Sequence, residues 1–162
     1  MQHYRLPTRL LDWTNSLLVA MYFALDPNEQ YAKKSAVLWA LSPYQLNAYQ
    51  LKGLKPSLLS IQDPRVKSSA MPFKTDGKIC AVSVPEMDIR MLVQQGACTI
   101  HGNKIPIENL ADCNQFLRKY EIPAESKTRL RRVLLSLGVR ESWVFPDLEH
   151  LAKEISDEDI NF

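Results

Sequence analysis

Cysteine is scarce in this sequence, with three residues at positions 80, 98 and 113 and no C-x-x-C pair. This argues against a disulfide framework and against a zinc ribbon. Unpaired cysteines are typical of a reducing compartment, so we expect the protein to be cytoplasmic. Cys98 and His101 have the spacing of metal ligands, but too few further ligands remain, so we predict no metal site.

Long apolar runs and an excess of one charge are also absent. The longest apolar run, residues 17–25, has nine residues, whereas a bilayer-spanning helix needs about 20. The chain carries 20 basic and 18 acidic side chains, so its net charge is only +2. Such a charge creates no overall field that would draw the protein to DNA or a membrane. Neither G-x-S-x-G nor G-x-x-x-x-G-K-[ST] occurs, so a hydrolase elbow and a P-loop have no support.

What is present is typical of one folded domain. The chain has 162 residues, of which 46% are hydrophobic and 23% charged, and these values argue against disorder. We therefore predict a single domain over residues 1–156, followed by a frayed tail over 157–162.

Local patterns predict a mixed α/β (α+β) fold, a small and mostly antiparallel sheet with surrounding helices. The predicted elements are a rigid loop over 1–14, strands at 36–41, 79–84, 97–101 and 104–107, and helices at 15–25, 43–50, 110–120, 130–137 and 148–155. Three prolines and two glycines predict an irregular segment over 52–78. The 15–25 helix is apolar on every side, so we expect it to be buried all round and to lie against strand 36–41. We also expect strands 36–41 and 79–84 in one sheet.

The opening segment, Gln2 to Thr14, is the most unusual part of the sequence. It brings together amide, imidazole, phenol, guanidinium, carboxylate and indole groups beside the apolar helix. Polar groups held against a core must find partners or a ligand. In a structural interpretation, Arg9 pairs with Asp12, Trp13 fills the core and Thr14 caps the helix.

A nucleotide-binding interpretation of the same segment remains equally open. The start of the helix and the guanidinium of Arg9 or Arg5 suit a phosphate. His3 has the pKa range of a group that moves a proton near neutral pH. Tyr4 and Trp13 are rings that stack on a base or a nicotinamide.

The opening resembles a known family. The order Q-H-Y-x-L-P-T-R-L-L-D-W-T, followed by S-x-L-V-A-x-Y-F-A, is similar to the core motif of FRG domains, which occur mostly in bacteria and phages. Residues 90–101, 122–123 and 144–148 resemble the family's R-x-x-x-Q-x-G-x-F-T, I-P-x-x-x-K and F-P-D-L stretches. The resemblance covers about residues 1–152.

Three departures from the family pattern are present. Arg5 stands where the family usually has glycine, Cys98 where it has phenylalanine, and the Phe-Arg-Gly motif that names the family does not occur. The resemblance therefore implies an FRG domain without its first motif. We expect such a chain to be marginally stable or to self-associate, and to lack catalytic activity by itself.

The FRG motif order is in turn similar to that of ADP-ribosyltransferases, which implies NAD as the ligand and cleavage of its glycosidic bond. In this interpretation the catalytic residues are His3, Arg9 and Gln94. The cofactor-binding residues are Gln2, Tyr4, Thr8, Asp12, Trp13 and Thr14. If the chain is an enzyme of this kind, we expect Arg9, Tyr4 and Gln94 to face one cleft. The alternative is a non-catalytic binding or effector module that acts with a further N-terminal region or with a protein or nucleic-acid partner.

Two segments near the C-terminus carry opposite charge. Residues 118–140 hold seven Lys or Arg and two Glu, and residues 147–159 hold six acidic residues and one Lys. We interpret them as exposed faces that partly neutralise each other, with a nucleic-acid or acidic-partner patch as the alternative. His150 is expected to be a solvated surface side chain.

Overall fold

The computed structural model describes residues 8–25, 27–52, 55–70, 74–85 and 89–159. Within them the chain forms two compact units. Unit 1 takes residues from 1–13, 39–85 and 97–119, and unit 2 takes residues from 14–38, 86–96 and 120–162. The prediction of one domain over 1–156 is not tested by this division.

Six strands and eight α-helices are formed in the described part of the chain. The strands are β1 (Leu10–Thr14), β2 (Ala36–Leu41), β3 (Leu59–Ser60), β4 (Ile79–Ser83), β5 (Gly96–His101) and β6 (Leu117–Ile122). The helices are α1 (Leu17–Ala24), α2 (Glu29–Ala32), α3 (Pro43–Gln50), α4 (Pro64–Ser69), α5 (Ile89–Val93), α6 (Ala124–Ser136), α7 (Glu141–Val144) and α8 (Leu148–Asp159). This content confirms the mixed α/β class.

The larger sheet has the strand order β1-β5-β4-β3. Strands β4 and β5 are antiparallel, with Ile79 opposite His101 and Val82 opposite Cys98. Strands β3 and β4 are parallel, and β3 covers only Val82 and Ser83. The other sheet consists of β2 and β6. The expectation that strands 36–41 and 79–84 share one sheet is therefore wrong for the described residues, because β2 pairs with a strand that was expected to be a helix.

Three apolar clusters fill the two units. In unit 1, one cluster packs Val66 and Ala70 against Cys80, Val82 and Ile100 on one face of the sheet. A second unit 1 cluster joins Leu46, Ile79, Ala81, Phe116 and Leu117. The core of unit 2 is formed by Leu25, Ile122, Leu134, Val139 and Val144.

Helix α1 differs from its predicted environment. Ser16 caps it by accepting a hydrogen bond from the backbone N–H of Val19. Met21 and Tyr22 of α1 and Ala36 and Leu38 of β2 pack against the same unit 2 core. The direct contact of the helix with strand 36–41 stays a prediction. Full burial is wrong, however. Val19 is 1% exposed but Leu17 is 68% exposed, because the core contacts only part of the helix surface.

Two further stretches differ from the local patterns. The loop expected over 1–14 contains β1, and the helix expected over 110–120 is replaced by a 3-10 turn at Cys113–Gln115 and by β6. Asp112 has a φ of +54°, a left-handed conformation that no helix can continue through. The strand expected over 104–107 is absent from the described residues, where a 3-10 turn begins at Ile107.

Side chains of α3 complete the backbone hydrogen bonding of β4. Asn47 is fully buried; its Nδ2 donates to the carbonyl of Ala81 at 2.9 Å, and its Oδ1 accepts from the N–H of Ala81 at 2.8 Å. The same Nδ2 donates to the carbonyl of Ser57 at 2.9 Å. The N–H of Ile79 donates to Gln50 Oε1 at 3.1 Å. Because β3 is so short, these amides occupy the side of β4 that a longer strand would cover.

We predict that Asn47→Ala lowers the free energy of unfolding by about 2–4 kcal/mol, because the buried N–H and carbonyl of Ala81 and the partly buried carbonyl of Ser57 lose their partner. Urea unfolding monitored by circular dichroism measures the change. Asn114→Ala, at an exposed asparagine, is the matched control and should stay within about 0.5 kcal/mol of the parent. Equal stability of the two variants would contradict the role assigned to Asn47.

Candidate functional site

The opening segment is described from residue 8 onward. The predicted catalytic residue His3 and the predicted cofactor-binding residues Gln2 and Tyr4 lie outside the described residues. Thr8 makes a local contact, with its Oγ1 3.3 Å from the carbonyl of Leu10 and 3.4 Å from the N–H of Leu10.

Arg9 lies at the start of β1 in unit 1. Its Nη1 donates to the carbonyl of Ala70 at 3.2 Å, and its own carbonyl accepts from the N–H of His101 at 2.8 Å. Ala70 directly follows α4. The guanidinium of Arg9 is therefore held at the C-terminal end of α4, next to Ser69.

Asp12 contacts the neighbouring strand. Its Oδ1 is 3.7 Å from the Sγ of Cys98, which donates to it. Burial, with a further contribution from Asp12, raises the pKa of the Cys98 thiol to about 11. Cys98 is therefore protonated at neutral pH and packs in the core. Arg9 thus contacts Ala70, and Asp12 contacts Cys98. The structural interpretation of the sequence had paired Arg9 with Asp12 instead.

A chain of polar side chains links β1 to β5 on the opposite face. Trp13 Nε1 donates to Thr99 Oγ1 at 3.1 Å, and Thr99 Oγ1 lies 3.0 Å from His101 Nε2. Thr99 is completely buried. Burial lowers the pKa of His101 below its ordinary value of 6.5. Trp13 also packs against the second apolar cluster of unit 1, so its indole has a structural role.

Thr14 and Gln94 lie in unit 2, and both are engaged by the protein itself. Thr14 Oγ1 donates to the carbonyl of Gln94 at 2.6 Å and accepts from the N–H of Ser16 at 2.9 Å. Gln94 Nε2 donates to the carbonyl of Val144 at 3.1 Å. The polar end of Gln94 thus holds α7, a contact that accounts for this glutamine without a ligand.

Arg90 reinforces the same contact one helical turn earlier. Its Nη2 donates to Asp147 Oδ2 at 3.2 Å, and its guanidinium lies 5.0 Å from the ring centroid of Phe145. Arg90 and Gln94 together hold the segment Val144–Asp147. Arg90 and Gln94 lie in the stretch that resembles the family's R-x-x-x-Q-x-G-x-F-T motif, and Val144–Asp147 lies in the stretch that resembles F-P-D-L. In this chain the two stretches bind each other.

His150 is more constrained than predicted. Its ring stacks on Phe145 at 4.9 Å, and its Nδ1 is 2.6 Å from Asp147 Oδ1. Its side chain is 26% exposed. Hydrogen bonds from His150, first from its backbone and then from its side chain, lower the pKa of Asp147. His150 therefore lies at the surface as expected, but Phe145 and Asp147 hold its ring in place.

The structure thus distributes the predicted site residues. Arg9, Asp12 and Trp13 belong to unit 1, and Thr14 and Gln94 belong to unit 2. The single cleft that Arg9, Tyr4 and Gln94 were expected to face stays a prediction, because Tyr4 lies outside the described residues.

Unit 1 contains a basic cavity that the sequence patterns did not reveal. Its volume is about 600 Å³. The residues that line it come from the end of α3, from α4 and from the approach to β4: Gln50, Leu51, Lys52, Arg65, Ser68, Ser69 and Lys78. Of these described lining residues, three are cationic, two carry hydroxyl groups, one carries an amide and one is apolar. The signal in the sequence was the lysine- and serine-rich segment 52–78, but spacing alone does not show which of its cations meet.

Backbone hydrogen bonds fix the walls of this cavity. The N–H of Lys78 donates to the carbonyl of Ser69 at 2.8 Å, and the carbonyl of Lys78 accepts from the N–H of Gly102 at 2.8 Å. Gln50 is held through its bond with Ile79. The cavity therefore has a rigid backbone frame with long cationic side chains at its rim.

Several cations of the basic segment 118–140 bond to other groups within their own units. The Nζ of Lys127 is buried and donates to the carbonyl of Tyr31 at 2.9 Å. Arg118 donates to the carbonyl of Asn114, and Arg140 pairs with Glu154 at 3.1 Å. The last pair joins the two oppositely charged segments, as expected. The nucleic-acid partner stays a prediction.

The described residues offer neither a cluster of metal ligands nor a membrane-spanning helix. No group of three or more His, Cys, Asp and Glu side chains in the described ranges is arranged to hold a metal ion. None of the helices described is long and apolar enough to cross a bilayer. The cytoplasmic location stays a prediction.

We predict that Gln94→Glu lowers the free energy of unfolding by about 1–3 kcal/mol at pH 8, because a carboxylate would face the carbonyl of Val144. The loss should shrink toward pH 5, since a protonated carboxyl again donates. Urea unfolding at both pH values measures this. Gln115→Glu, at an exposed position, is the control. A Gln94→Glu variant as stable as the parent at pH 8 would show that the Val144 contact contributes nothing.

A second prediction concerns pH and His101. Its pKa is lowered in the folded protein by burial, so the unfolded chain takes up a proton first as the pH falls below 6.5. Stability should therefore decrease below this pH. Thermal unfolding between pH 5 and 8 tests this on the parent and on His101→Gln, which cannot titrate. His3 and His150 are present in both proteins, so only the difference between the two plots of stability against pH reports on His101. Plots that stay parallel between pH 5 and 8 would contradict the prediction.

Comparison with known proteins adds one finding. No curated protein and no solved structure matches the chain. The model of the FRG domain matches residues 1–33, the stretch that contains β1, α1 and α2. The first 33 residues therefore carry the FRG domain signature, which confirms the resemblance seen in the opening motif.

Proposed function

We propose that this chain is a nucleotide-binding domain. The observation that carries the proposal is the basic cavity of unit 1. It opens widely to solvent, and its volume of about 600 Å³ is large enough to admit a small phosphate-bearing ligand. Lys52, Arg65 and Lys78 supply positive charge, and Ser68 and Ser69 supply hydroxyl groups. This combination suits phosphate groups.

The position of Arg9 supports the same proposal. Its guanidinium binds the carbonyl of Ala70, the residue after Ser69 in the cavity wall. The opening motif therefore fixes the end of α4, and through α4 it positions two of the residues that line the cavity. A change at Arg9 would be felt in the cavity even though Arg9 is not one of the lining residues.

The finer proposal is that the nucleotide is NAD and that the domain acts like an ADP-ribosyltransferase of a bacterium or phage. The bond between nicotinamide and ribose would break, nicotinamide would leave as a neutral molecule, and an acceptor would bond to the ribose carbon. His3, Arg9 and Gln94 are the proposed catalytic residues. The proposed cofactor contacts are Gln2, Tyr4, Thr8, Asp12, Trp13 and Thr14. This proposal rests on the motif resemblance.

A second candidate, a non-catalytic module, is favoured by one set of contacts. The polar groups of Trp13, Thr14 and Gln94 all bond to other parts of the protein. A module that binds a nucleotide or a macromolecular partner without catalysis has no reaction centre. These polar groups are then available for the structural contacts that they make.

The test is titration calorimetry of the whole chain with NAD and with ADP. We predict that Lys52→Met combined with Lys78→Met lowers the affinity about tenfold or more, because two charge-assisted contacts are lost. Lys67→Met is the matched control, since Lys67 lies on α4 but does not line the cavity, and it should bind like the parent. Equal affinity of the double variant and the control would place the nucleotide elsewhere.

A separate assay distinguishes the enzyme from the module. Release of nicotinamide from NAD is followed by chromatography with the parent and with Arg9→Ala. Release of nicotinamide by the parent supports the transferase, and its loss in an Arg9→Ala variant that still folds supports a role for Arg9 in that reaction. Binding of NAD without any release supports the module.

A further inference from the structure

One cation of the basic cavity already has an anionic partner. Arg65 Nε donates to Asp63 Oδ1 at 2.9 Å, and Arg65 Nη2 donates to Asp63 Oδ2 at 2.8 Å. This two-pronged geometry is the one by which a guanidinium also binds a phosphate. The carboxylate of Asp63 therefore occupies the Nε–Nη2 edge of Arg65, one of the two edges by which a guanidinium can bind a phosphate with two hydrogen bonds.

Asp63 is held in place by the start of α4. Its Oδ1 also accepts a hydrogen bond from the backbone N–H of Arg65 at 2.8 Å, which makes Asp63 the N-cap of the helix. The side-chain hydrogen bond from Arg65 lowers the pKa of Asp63 from 3.8 to about 2. The carboxylate is therefore ionised throughout the neutral range and does not release Arg65 on its own.

The two side chains differ in their freedom to rearrange. The Arg65 side chain is 53% exposed, and that of Asp63 is 18% exposed. The guanidinium can therefore turn toward the cavity while the carboxylate stays at the helix cap. Lys52 and Lys78 line the cavity as well, and the structure shows no ion pair for either of them within the described residues.

We propose that Asp63 competes with the phosphate groups of the ligand for Arg65 and so restrains binding in the basic cavity. Lys52 and Lys78 make the first contacts with the phosphates, and Arg65 offers them its Nε–Nη2 edge only after leaving Asp63. This inference rests on the proposed nucleotide-binding function and adds a built-in competitor to the same site.

The lining of the cavity also defines the ligand class. Among the described residues that line it, three are cationic and two carry hydroxyl groups, and Leu51 is apolar. Cationic and hydroxyl groups suit phosphate oxygens rather than the face of a base. We therefore expect these side chains to hold the pyrophosphate part of a ligand, so that ADP, GDP and inorganic pyrophosphate bind alike and adenosine binds much more weakly.

The test uses Asp63→Asn in the full chain. Asparagine is as good an N-cap as aspartate, so the start of α4 is kept while the negative charge is removed. Titration calorimetry with ADP and with pyrophosphate should show a three- to tenfold gain in affinity over the parent. Asp63→Ser, also a neutral N-cap, gives the same readout if the asparagine variant does not fold.

A second pair of variants separates direct competition from a general loss of negative charge. In the Arg65→Met background, Asp63→Asn should no longer change the affinity, because the contested guanidinium is gone. A gain of the same size in that background would overturn the competition, as would an unchanged or weaker affinity of Asp63→Asn alone.

The outcomes for the two proposals remain distinguishable. If neither the parent nor Asp63→Asn binds ADP or pyrophosphate, the nucleotide-binding function and the competition both fail. If the parent binds and Asp63→Asn binds equally well, only the competition fails. Tight binding of ADP with no binding of GDP or pyrophosphate would overturn the assignment of the ligand class.

Discussion

Strand β4 needs hydrogen-bond partners on both of its sides, and β3 provides them for only two residues. An unpaired backbone group in the core of a protein is costly, so something else must cover the first half of the strand. The amides of Asn47 and Gln50 do this. The position of α3 against the sheet is therefore set by hydrogen bonding as well as by the apolar contacts of Leu46.

The location of the basic cavity follows from this constraint. Gln50 binds the N–H of Ile79, so the end of α3 is held beside the residue that follows Lys78. Lys52 comes two residues after Gln50, and α4 is tied to Lys78 through the carbonyl of Ser69. Cations that are far apart in the sequence meet because the backbone of β4 has to be satisfied.

Local signals in the sequence predicted much of the secondary structure but little of the site. Strand β2, helix α3 and strand β5 are bounded by clear turn or capping residues, such as Ser42-Pro43 before α3. They form close to the expected positions. The apolar spacing of residues 110–120 is equally compatible with a helix, and only the left-handed conformation of Asp112 ends that possibility. Side-chain contacts such as those of Gln94 with Val144 join residues 50 positions apart. No local pattern contains that information.

The residues that carry the family signature and the residues that line the cavity are different sets. The FRG match covers residues 1–33, whereas the cavity is lined by residues between 50 and 78. Of the opening segment, only Arg9 has a described contact next to the cavity, through Ala70. The described polar side chains that follow it bind within their own units. The proposed nucleotide binding therefore has to be measured on this chain, since the proposal rests on three cations placed near α3, α4 and β4, and the opening motif does not supply them.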